Sequence, residues 1–232
     1  MSTQHKPLIG ITIGDINGIG AEVILKTVID QRILNYVTLV IYGSSKVLSF
    51  YRKQLKMDEW HYATVKENNV FDRKKVNVVN CWDHEIEIKM GKETKEGGSA
   101  AWMALKKATA DLNEGVIDAV VTGPINKSNI QSEEFSFPGH TEYFMHATGA
   151  KSNLMLMVSD AMRVGVVTGH VPLKEVAASI TKDKVEQALN VMKKALKADF
   201  AVDKPKIAVL GLNPHAGENG LLGSEEKDII EP

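Results

Sequence analysis

Residues 204–218, KPKIAVLGLNPHAGE, carry the pattern that decides the fold. Their apolar run, residues 207–212, is short and is bounded by charged and turn-forming residues, which predicts a buried β-strand. His215 follows at the point where that strand ends. Residues 163–173 repeat the arrangement, because a Val-rich run stops at a glycine and presents His170. Open α/β sheets bind ligands outside the carboxyl ends of their strands, so the two histidines predict a site there.

Composition limits the classes of protein and of partner. The chain has 232 residues, of which 44% are hydrophobic and 25% charged, enough to bury one large core or two smaller ones. Its formal net charge of -1 gives no reason to expect nucleic acid or an anionic membrane as a partner. The single cysteine, Cys81, excludes an intrachain disulfide and fits a cytoplasmic location. The sequence contains no run that predicts export or membrane anchoring.

Strand and helix patterns along the rest of the chain predict an α/β fold. Strands are expected at residues 7–13, 37–42, 76–80, 117–122, 154–158 and 164–168, the last two as an antiparallel hairpin in a mixed, mostly parallel sheet. Helices are expected at residues 21–34, around 47–51, from a cap at 97–99 to about 115, from a start near Thr141 through 148, and at 181–198. Residues 56–96 carry one strand and no motif, so we expect most of them to be peripheral.

A glycine-rich loop, GDINGIG at residues 14–20, lies between the first predicted strand and the first predicted helix. Such a loop can present backbone N–H groups to a phosphate at a helix N-terminus. Its glycine spacing matches neither the dinucleotide fingerprint nor a phosphate loop with its Lys and Ser or Thr. By itself the loop is better interpreted as a tight turn.

Further polar side chains follow other predicted strands. Lys127 lies just past a strand end, where an ammonium suits a phosphate or carboxylate, although a solvated loop lysine explains the position equally well. His140 lies in a Pro-Gly turn, where structural histidines are common. Neutral imidazoles are frequent zinc ligands, and catalytic sites usually have three protein ligands. His170 and His215 are candidates, with His140 open as a third; a structural role explains each one singly, and the matched pair favours function.

Five motifs, taken in order, resemble the 4-hydroxythreonine-4-phosphate dehydrogenase family of pyridoxal phosphate biosynthesis. They are GDINGIGAE at 14–22, TGPINK at 122–127, FPGHTE at 137–142, VVTGHVPL at 166–173 and GLNPHAGENG at 211–220. The resemblance covers essentially the whole chain, with residues 56–96 as a variable elaboration. In the first motif Ile16 and Ala21 stand where the family usually has proline, which alters rigidity more than charge.

The resemblance implies two α/β/α domains around a cleft, similar to isocitrate and isopropylmalate dehydrogenases, with residues 1–125 in the first domain and 126–232 in the second. It implies a homodimer with a shared active site. The implied reaction is the NAD-dependent oxidation and decarboxylation of 4-phosphohydroxy-L-threonine to 3-amino-2-oxopropyl phosphate.

The resemblance also implies roles for individual residues. His170 and His215 fall on the family's ligands for a divalent metal (Zn, Mg or Co), and His140 and Thr141 fall on substrate-binding positions. We expect Lys127 to be a catalytic residue that acts electrostatically. Residues that contact NAD are not assigned.

Family members continue past residue 232 with a third metal-binding histidine, further basic substrate contacts and much of the NAD site. The expectation is therefore a truncated chain with an incomplete metal site and little activity alone. One alternative is a dehydrogenase of a related sugar-acid phosphate, 4-phospho-threonate or 4-phospho-erythronate. Another is a non-catalytic phosphate-binding module of the same fold.

Overall fold

The computed structural model describes residues 6–65 and 70–232. The chain divides into two compact units, Met1–Thr148 (unit 1) and Gly149–Pro232 (unit 2). Unit 1 contains a five-stranded sheet, and unit 2 contains a two-stranded one. Within the described residues, no helix is both long enough and apolar enough to cross a membrane.

A parallel sheet forms the centre of unit 1. Its strands are β1 (Leu8–Thr12), β2 (Thr38–Gly43), β3 (Tyr62–Thr64), β4 (Val76–Asn80) and β5 (Ala119–Thr122), in the order β3-β4-β2-β1-β5. Each pairing between neighbours is parallel. Every residue of β2 is buried, as expected for a central parallel strand covered on both faces. Because Thr12 pairs with Thr122, the loops that follow β1 and β5 start side by side.

The described residues of unit 1 form four α-helices: α1 (Gly20–Val28), α2 (Ser45–Gln54), α3 (Lys95–Asn113) and α4 (His140–Ala147). The first predicted helix is too long, because α1 ends at Val28 and the Asp30 side chain caps a separate 3₁₀ turn at Gln31–Asn35. The predicted cap of α3 at residues 97–99 is also wrong. Thr94 caps that helix, with its hydroxyl accepting from the N–H of Gly97 at 3.0 Å.

A buried polar network ties α3 to the sheet. The Tyr42 hydroxyl donates to Asp111 Oδ2 at 2.7 Å, and the Lys107 ammonium donates to Asp111 Oδ1 at 2.6 Å. Asp111 is fully buried, so these donors replace the water that its carboxylate loses. Burial, followed by the hydrogen bond to Asp111, raises the pKa of the Tyr42 hydroxyl.

Residues 126–148 pack against α3 and therefore fall within unit 1. The contact between these residues and α3 is a hydrophobic cluster of buried side chains: Ala101, Leu105, Ile130, Phe135 and Tyr143. The predicted domain boundary between residues 125 and 126 concerns the full-length family architecture and stays a prediction. In this chain the compact unit extends to Thr148, because the aromatic residues after β5 bury themselves against α3.

Unit 2 contains the predicted hairpin, β6 (Met155–Val158) and β7 (Arg163–Val166), paired antiparallel. This pair forms its own sheet rather than the edge of a mixed one. Two helices follow, α5 (Val176–Ser179) and α6 (Lys182–Ala198), with short helical turns at Leu173–Glu175, Ala216–Gly220 and Glu226–Ile230. The Thr181 hydroxyl caps α6 by accepting from the N–H of Lys184 at 3.3 Å.

The strand predicted at residues 207–212 is wrong. The described residues after α6 contain no strand, and Leu210 is 83% exposed. An apolar run becomes a strand only when a neighbouring strand satisfies its backbone groups, and none of the described strands pairs with residues 207–212. The apolar pattern of residues 207–212 is therefore present without the sheet that it predicted.

Candidate functional site

The loops after β1 and β5 are locked together in unit 1. The N–H of Asp15 donates to the carbonyl of Pro124 at 2.9 Å. Gly14 has a φ of 72°, and a Cβ at that position would collide with the same carbonyl. The first and second motifs of the sequence therefore meet at one edge of the sheet, as parallel strands require.

The Asp15 carboxylate occupies the space beside the first turn of α3. Its Oδ1 accepts from the N–H of Asn17 at 2.9 Å and lies 2.8 Å from where a Cβ of Gly97 would be. Its Oδ2 accepts from the amide of Asn129 at 3.3 Å. A carboxylate near a helix N-terminus is stabilised by the helix dipole. The Asp15 carboxylate is thus held by contacts within the protein, which fits the interpretation of this loop as a tight turn.

The Lys127 backbone is held from both sides by residues that the sequence did not single out. The Glu93 carboxylate accepts from the Asn126 amide at 3.0 Å and from the Ser128 hydroxyl at 2.9 Å. The Gln131 amide donates to the carbonyl of Lys127 at 3.2 Å and to that of Phe137 at 2.9 Å. These contacts connect the TGPINK and FPGHTE motifs.

Lys127 and His140, predicted as site residues, come together at the start of α4. The Lys127 Cε lies 3.8 Å from where a Cβ of Gly139 would be. Burial and, second, the Lys127 charge lower the pKa of His140. The His140 ring stacks on Phe144 with centroids 6.4 Å apart, and its Nε2 is shielded from solvent without a hydrogen-bond partner among the described residues. A buried imidazole nitrogen without a partner is unusual, and a ligand oxygen would satisfy it.

The N-terminus of α4 adds further hydrogen-bond donors to this cluster. Gly139, its N-cap residue, has no side chain with which to satisfy the first N–H groups, and the predicted substrate residue Thr141 lies exposed in the first turn. Helix N-termini and ammonium groups both favour anions. Glu142 lies in the same turn, with its Oε2 3.6 Å from the Gly139 Cβ position, and opposes part of that positive potential.

The two predicted metal ligands both lie in unit 2 and are exposed. His170 follows β7 with a φ of 57°, a left-handed conformation that costs energy for a residue with a Cβ. The His215 Nδ1 lies 3.6 Å from Glu218 Oε1. The backbone N–H of His215 donates to Asn213 Oδ1 at 3.1 Å. Both imidazoles are therefore open to a ligand from outside.

His170 and His215 carry side chains of a type that binds divalent ions. Within residues 6–65 and 70–232, no group of three or more His, Cys, Asp or Glu side chains is placed to hold a metal ion. Exposed neutral imidazoles suit zinc and related ions. The assignment of His170 and His215 as ligands stays a prediction, as do the roles of Lys127, His140 and Thr141.

Comparison with known proteins adds the family. A family model described as "Pyridoxal phosphate biosynthetic protein PdxA" matches residues 35–232. The chain belongs to the PdxA family. The family predicted from the five motifs is therefore confirmed.

Relatives in the PdxA family agree with this result. A 4-hydroxythreonine-4-phosphate dehydrogenase from Bacteroides thetaiotaomicron is 46% identical over 230 residues, which is 99% of this chain and 63% of the relative. A protein from Oceanobacillus iheyensis, provisionally named D-threonate 4-phosphate dehydrogenase, is 33% identical over 99% of this chain and 70% of its own length. The chain thus spans about two thirds of the length of these relatives.

A crystal structure of a 4-hydroxythreonine-4-phosphate dehydrogenase from Burkholderia phymatum matches with a TM-score of 0.82 and 29% identity. The match covers 98% of this chain and 69% of that one. The predicted fold class is confirmed: PdxA proteins have an α/β fold similar to isocitrate and isopropylmalate dehydrogenases, with a mostly parallel central sheet.

Proposed function

We propose that the protein carrying this chain is an NAD- and metal-dependent dehydrogenase that oxidises and decarboxylates 4-phosphohydroxy-L-threonine to 3-amino-2-oxopropyl phosphate. The observation that carries the proposal is the cluster at the start of α4, where Lys127, the unpartnered Nε2 of His140 and an uncapped helix N-terminus converge. Such a cluster suits a phosphorylated substrate. The relatives named as 4-hydroxythreonine-4-phosphate dehydrogenases support the reaction class.

In this proposal the residues of unit 1 bind and orient the substrate. Lys127 provides a positive charge toward the phosphate or carboxylate. Because burial lowers its pKa, His140 is a neutral imidazole near neutral pH and offers either a lone pair or one N–H to a substrate oxygen. The Thr141 hydroxyl can both donate and accept. Gln131 and Glu93 keep the Lys127 backbone in place during binding.

The proposed cofactors would supply the remaining chemistry. His170 and His215 would hold a divalent ion (Zn, Mg or Co), which polarises a substrate oxygen as a Lewis acid. NAD would accept the hydride from the secondary alcohol, and carbon dioxide would leave from the carboxylate. We also propose the homodimer of the family resemblance, with the active site shared between its subunits.

The test is an assay of the whole gene product with NAD, Zn²⁺ or Mg²⁺, and 4-phosphohydroxy-L-threonine. NADH and carbon dioxide should form in equal amounts. Lys127→Ala and His140→Asn should each lower kcat/KM by roughly 100-fold, the scale for removing one donor from a preorganised site. Lys53→Ala, which changes an exposed lysine of α2, is the matched control and should leave kcat/KM unchanged. Absence of NADH formation with every metal tested would refute the proposal.

The second candidate substrate is D-threonate 4-phosphate, in line with the alternative of a sugar-acid phosphate. It is favoured by the relative of that provisional name and by a cluster that suits phosphate without selecting for an amino group. The same NADH assay with both substrates, and with 4-phospho-erythronate, separates these dehydrogenases by their kcat/KM values. A protein that binds inorganic phosphate at His140 but forms no NADH with any of them would be the non-catalytic module.

A further inference from the structure

Glu226 is a buried acid in a unit that buries few charged groups. It begins the helical turn Glu226–Ile230 and is 4% exposed. Among the described residues of unit 2, it is the one charged side chain in the buried class. Burying a carboxylate costs free energy unless hydrogen bonds compensate, so its surroundings should reveal what it does.

The Glu226 carboxylate lies inside the loop that carries His215. Its Oε1 accepts from the N–H of Asn213 at 2.6 Å, a short bond of the kind that a charged acceptor makes. The same Oε1 lies 3.3 Å from where a Cβ of Gly211 would be, and Oε2 lies 3.4 Å from the corresponding position of Gly217. Residues 211–217 therefore wrap around this carboxylate, and its two flanking glycines leave room for it.

Asn213 links Glu226 to His215 through two hydrogen bonds. While its N–H donates to Glu226, its Oδ1 accepts from the N–H of His215 at 3.1 Å. Its carbonyl also accepts from the N–H of Ala216 at 2.9 Å. Glu226 thus fixes Asn213, and Asn213 in turn is hydrogen-bonded to the backbone of His215.

The backbone beyond His215 needs such support. Ala216, Gly217 and Glu218 have φ values of 48°, 70° and 45°, so three successive residues, two of them with a Cβ, adopt the left-handed conformation. Strained residues of this kind persist only where the surrounding structure holds them. Unit 2 offers little apolar core for the purpose, and the loop closes instead through the buried carboxylate.

We propose that Glu226 is a positioning residue that sets the conformation of residues 211–217 and thereby the direction of the His215 imidazole. The hydrogen bonds that join Glu226, Asn213 and His215 support the ordering of the loop. The importance of that ordering for metal binding rests on the proposed function. The acid would act through Asn213, since its Oε1 is already engaged by that residue's N–H.

The experiment compares Glu226→Gln, Glu226→Ala and the control Asp228→Asn in the whole protein. Asp228→Asn removes an exposed negative charge from the same helical turn. Zn²⁺ affinity is measured by competition with a chromophoric chelator, and amide hydrogen exchange of residues 213–218 is measured without metal. Exchange in β2 reports whether unit 1 remains folded in each variant.

We expect Glu226→Ala to speed exchange at residues 213–218 and to weaken Zn²⁺ binding by roughly 10- to 100-fold, the range for losing a partner that orients a metal ligand. Glu226→Gln keeps a neutral acceptor and should lie between Glu226→Ala and the unmodified protein. Asp228→Asn should change neither quantity. Unchanged exchange and unchanged affinity in Glu226→Ala would overturn the proposal.

The two proposals can fail separately. If the unmodified protein binds no Zn²⁺, the proposed metal site fails, while faster exchange in Glu226→Ala still supports the ordering of the loop. If Zn²⁺ binds normally to Glu226→Ala, the metal site stands and Glu226 is not its positioning residue.

Discussion

Units 1 and 2 fix their candidate site residues by different means. Most of the buried apolar side chains described belong to unit 1, including residues 39–42 of β2. In unit 2 the described residues include three buried apolar side chains: Ile180, Val185 and Leu196. In unit 1 the segment with Lys127 and His140 packs on α3 through aromatic residues, whereas the His215 loop of unit 2 closes around the carboxylate of Glu226.

This difference indicates where substitutions should have large effects. A packed apolar core spreads its stabilisation over many contacts and cannot tolerate a cavity or an added methyl group. A loop held by one buried carboxylate depends on few groups, and its exposed apolar neighbours contribute little to stability. Four predictions test the comparison.

The largest effect should follow from emptying the core of unit 1. Leu25 is fully buried in α1, and Leu25→Ala should lower the free energy of unfolding by about 2 to 5 kcal/mol. Leu210, 83% exposed in unit 2, is the matched control, and Leu210→Ala should change that energy by about 0.5 kcal/mol or less. Urea denaturation of both variants measures the difference. Equal costs would show that unit 2 buries residues 207–212 in solution.

A smaller loss should come from adding one methyl group at the contact between α3 and the Lys127 loop. A Cβ at Gly98 would collide with the carbonyl of Asn129, so Gly98→Ala should cost about 1 to 3 kcal/mol. Gly169 has open space around it, and Gly169→Ala should cost about 0.5 kcal/mol or less. Thermal unfolding of both variants would decide. A stable Gly98→Ala protein would mean that residues 126–131 are free to move away from α3.

Removing one hydroxyl from the buried network around Asp111 should lower the free energy of unfolding by a smaller amount. Tyr42→Phe deletes the donor to Asp111 but leaves Lys107, so we expect a loss of about 1.5 kcal/mol, the low end for hydrogen bonds to charged groups. Tyr36→Phe removes a hydroxyl from a side chain that is 76% exposed and serves as the control. If urea denaturation gives the same free energy for both variants, water must replace the lost donor.

The smallest effect concerns pH. The pKa of folded His140 is lowered, so between that value and the unfolded pKa of about 6.5 the unfolded chain binds more protons. The free energy of unfolding should therefore fall as pH drops below about 6.5, because protonation favours the unfolded state. His140→Gln should make this dependence shallower when unfolding is measured between about pH 7 and about pH 5. An unchanged slope would show that His140 is accessible to water in the folded protein.

Much of the fold could be predicted from local patterns. The strand predicted at residues 76–80 has the observed bounds of β4, and the hairpin and α6 follow their patterns closely. These elements can be predicted because apolar periodicity and turn residues act over a few positions. The cap of α3 was misplaced because Gly97 and Gly98 resemble a helix boundary. They are glycines because Asp15 and Asn129 approach the helix closely, a contact between residues far apart in the chain.

The candidate site, like the fold, could be predicted from the sequence only in part. The sequence by itself determined the PdxA family, through motifs with characteristic residues at fixed spacing, and it named Lys127, His140, Thr141, His170 and His215 as candidates. Only the tertiary structure decided that Asp15 fills the space beside α3, that Glu93 and Gln131 hold the Lys127 loop, and that Glu226 lies within the His215 loop. It also decided that residues 207–212 form no strand. The physical reason is the distance along the chain over which each property is determined. Side-chain chemistry and periodicity depend on neighbouring residues, whereas partners for a buried charge or a strand edge come from other parts of the chain.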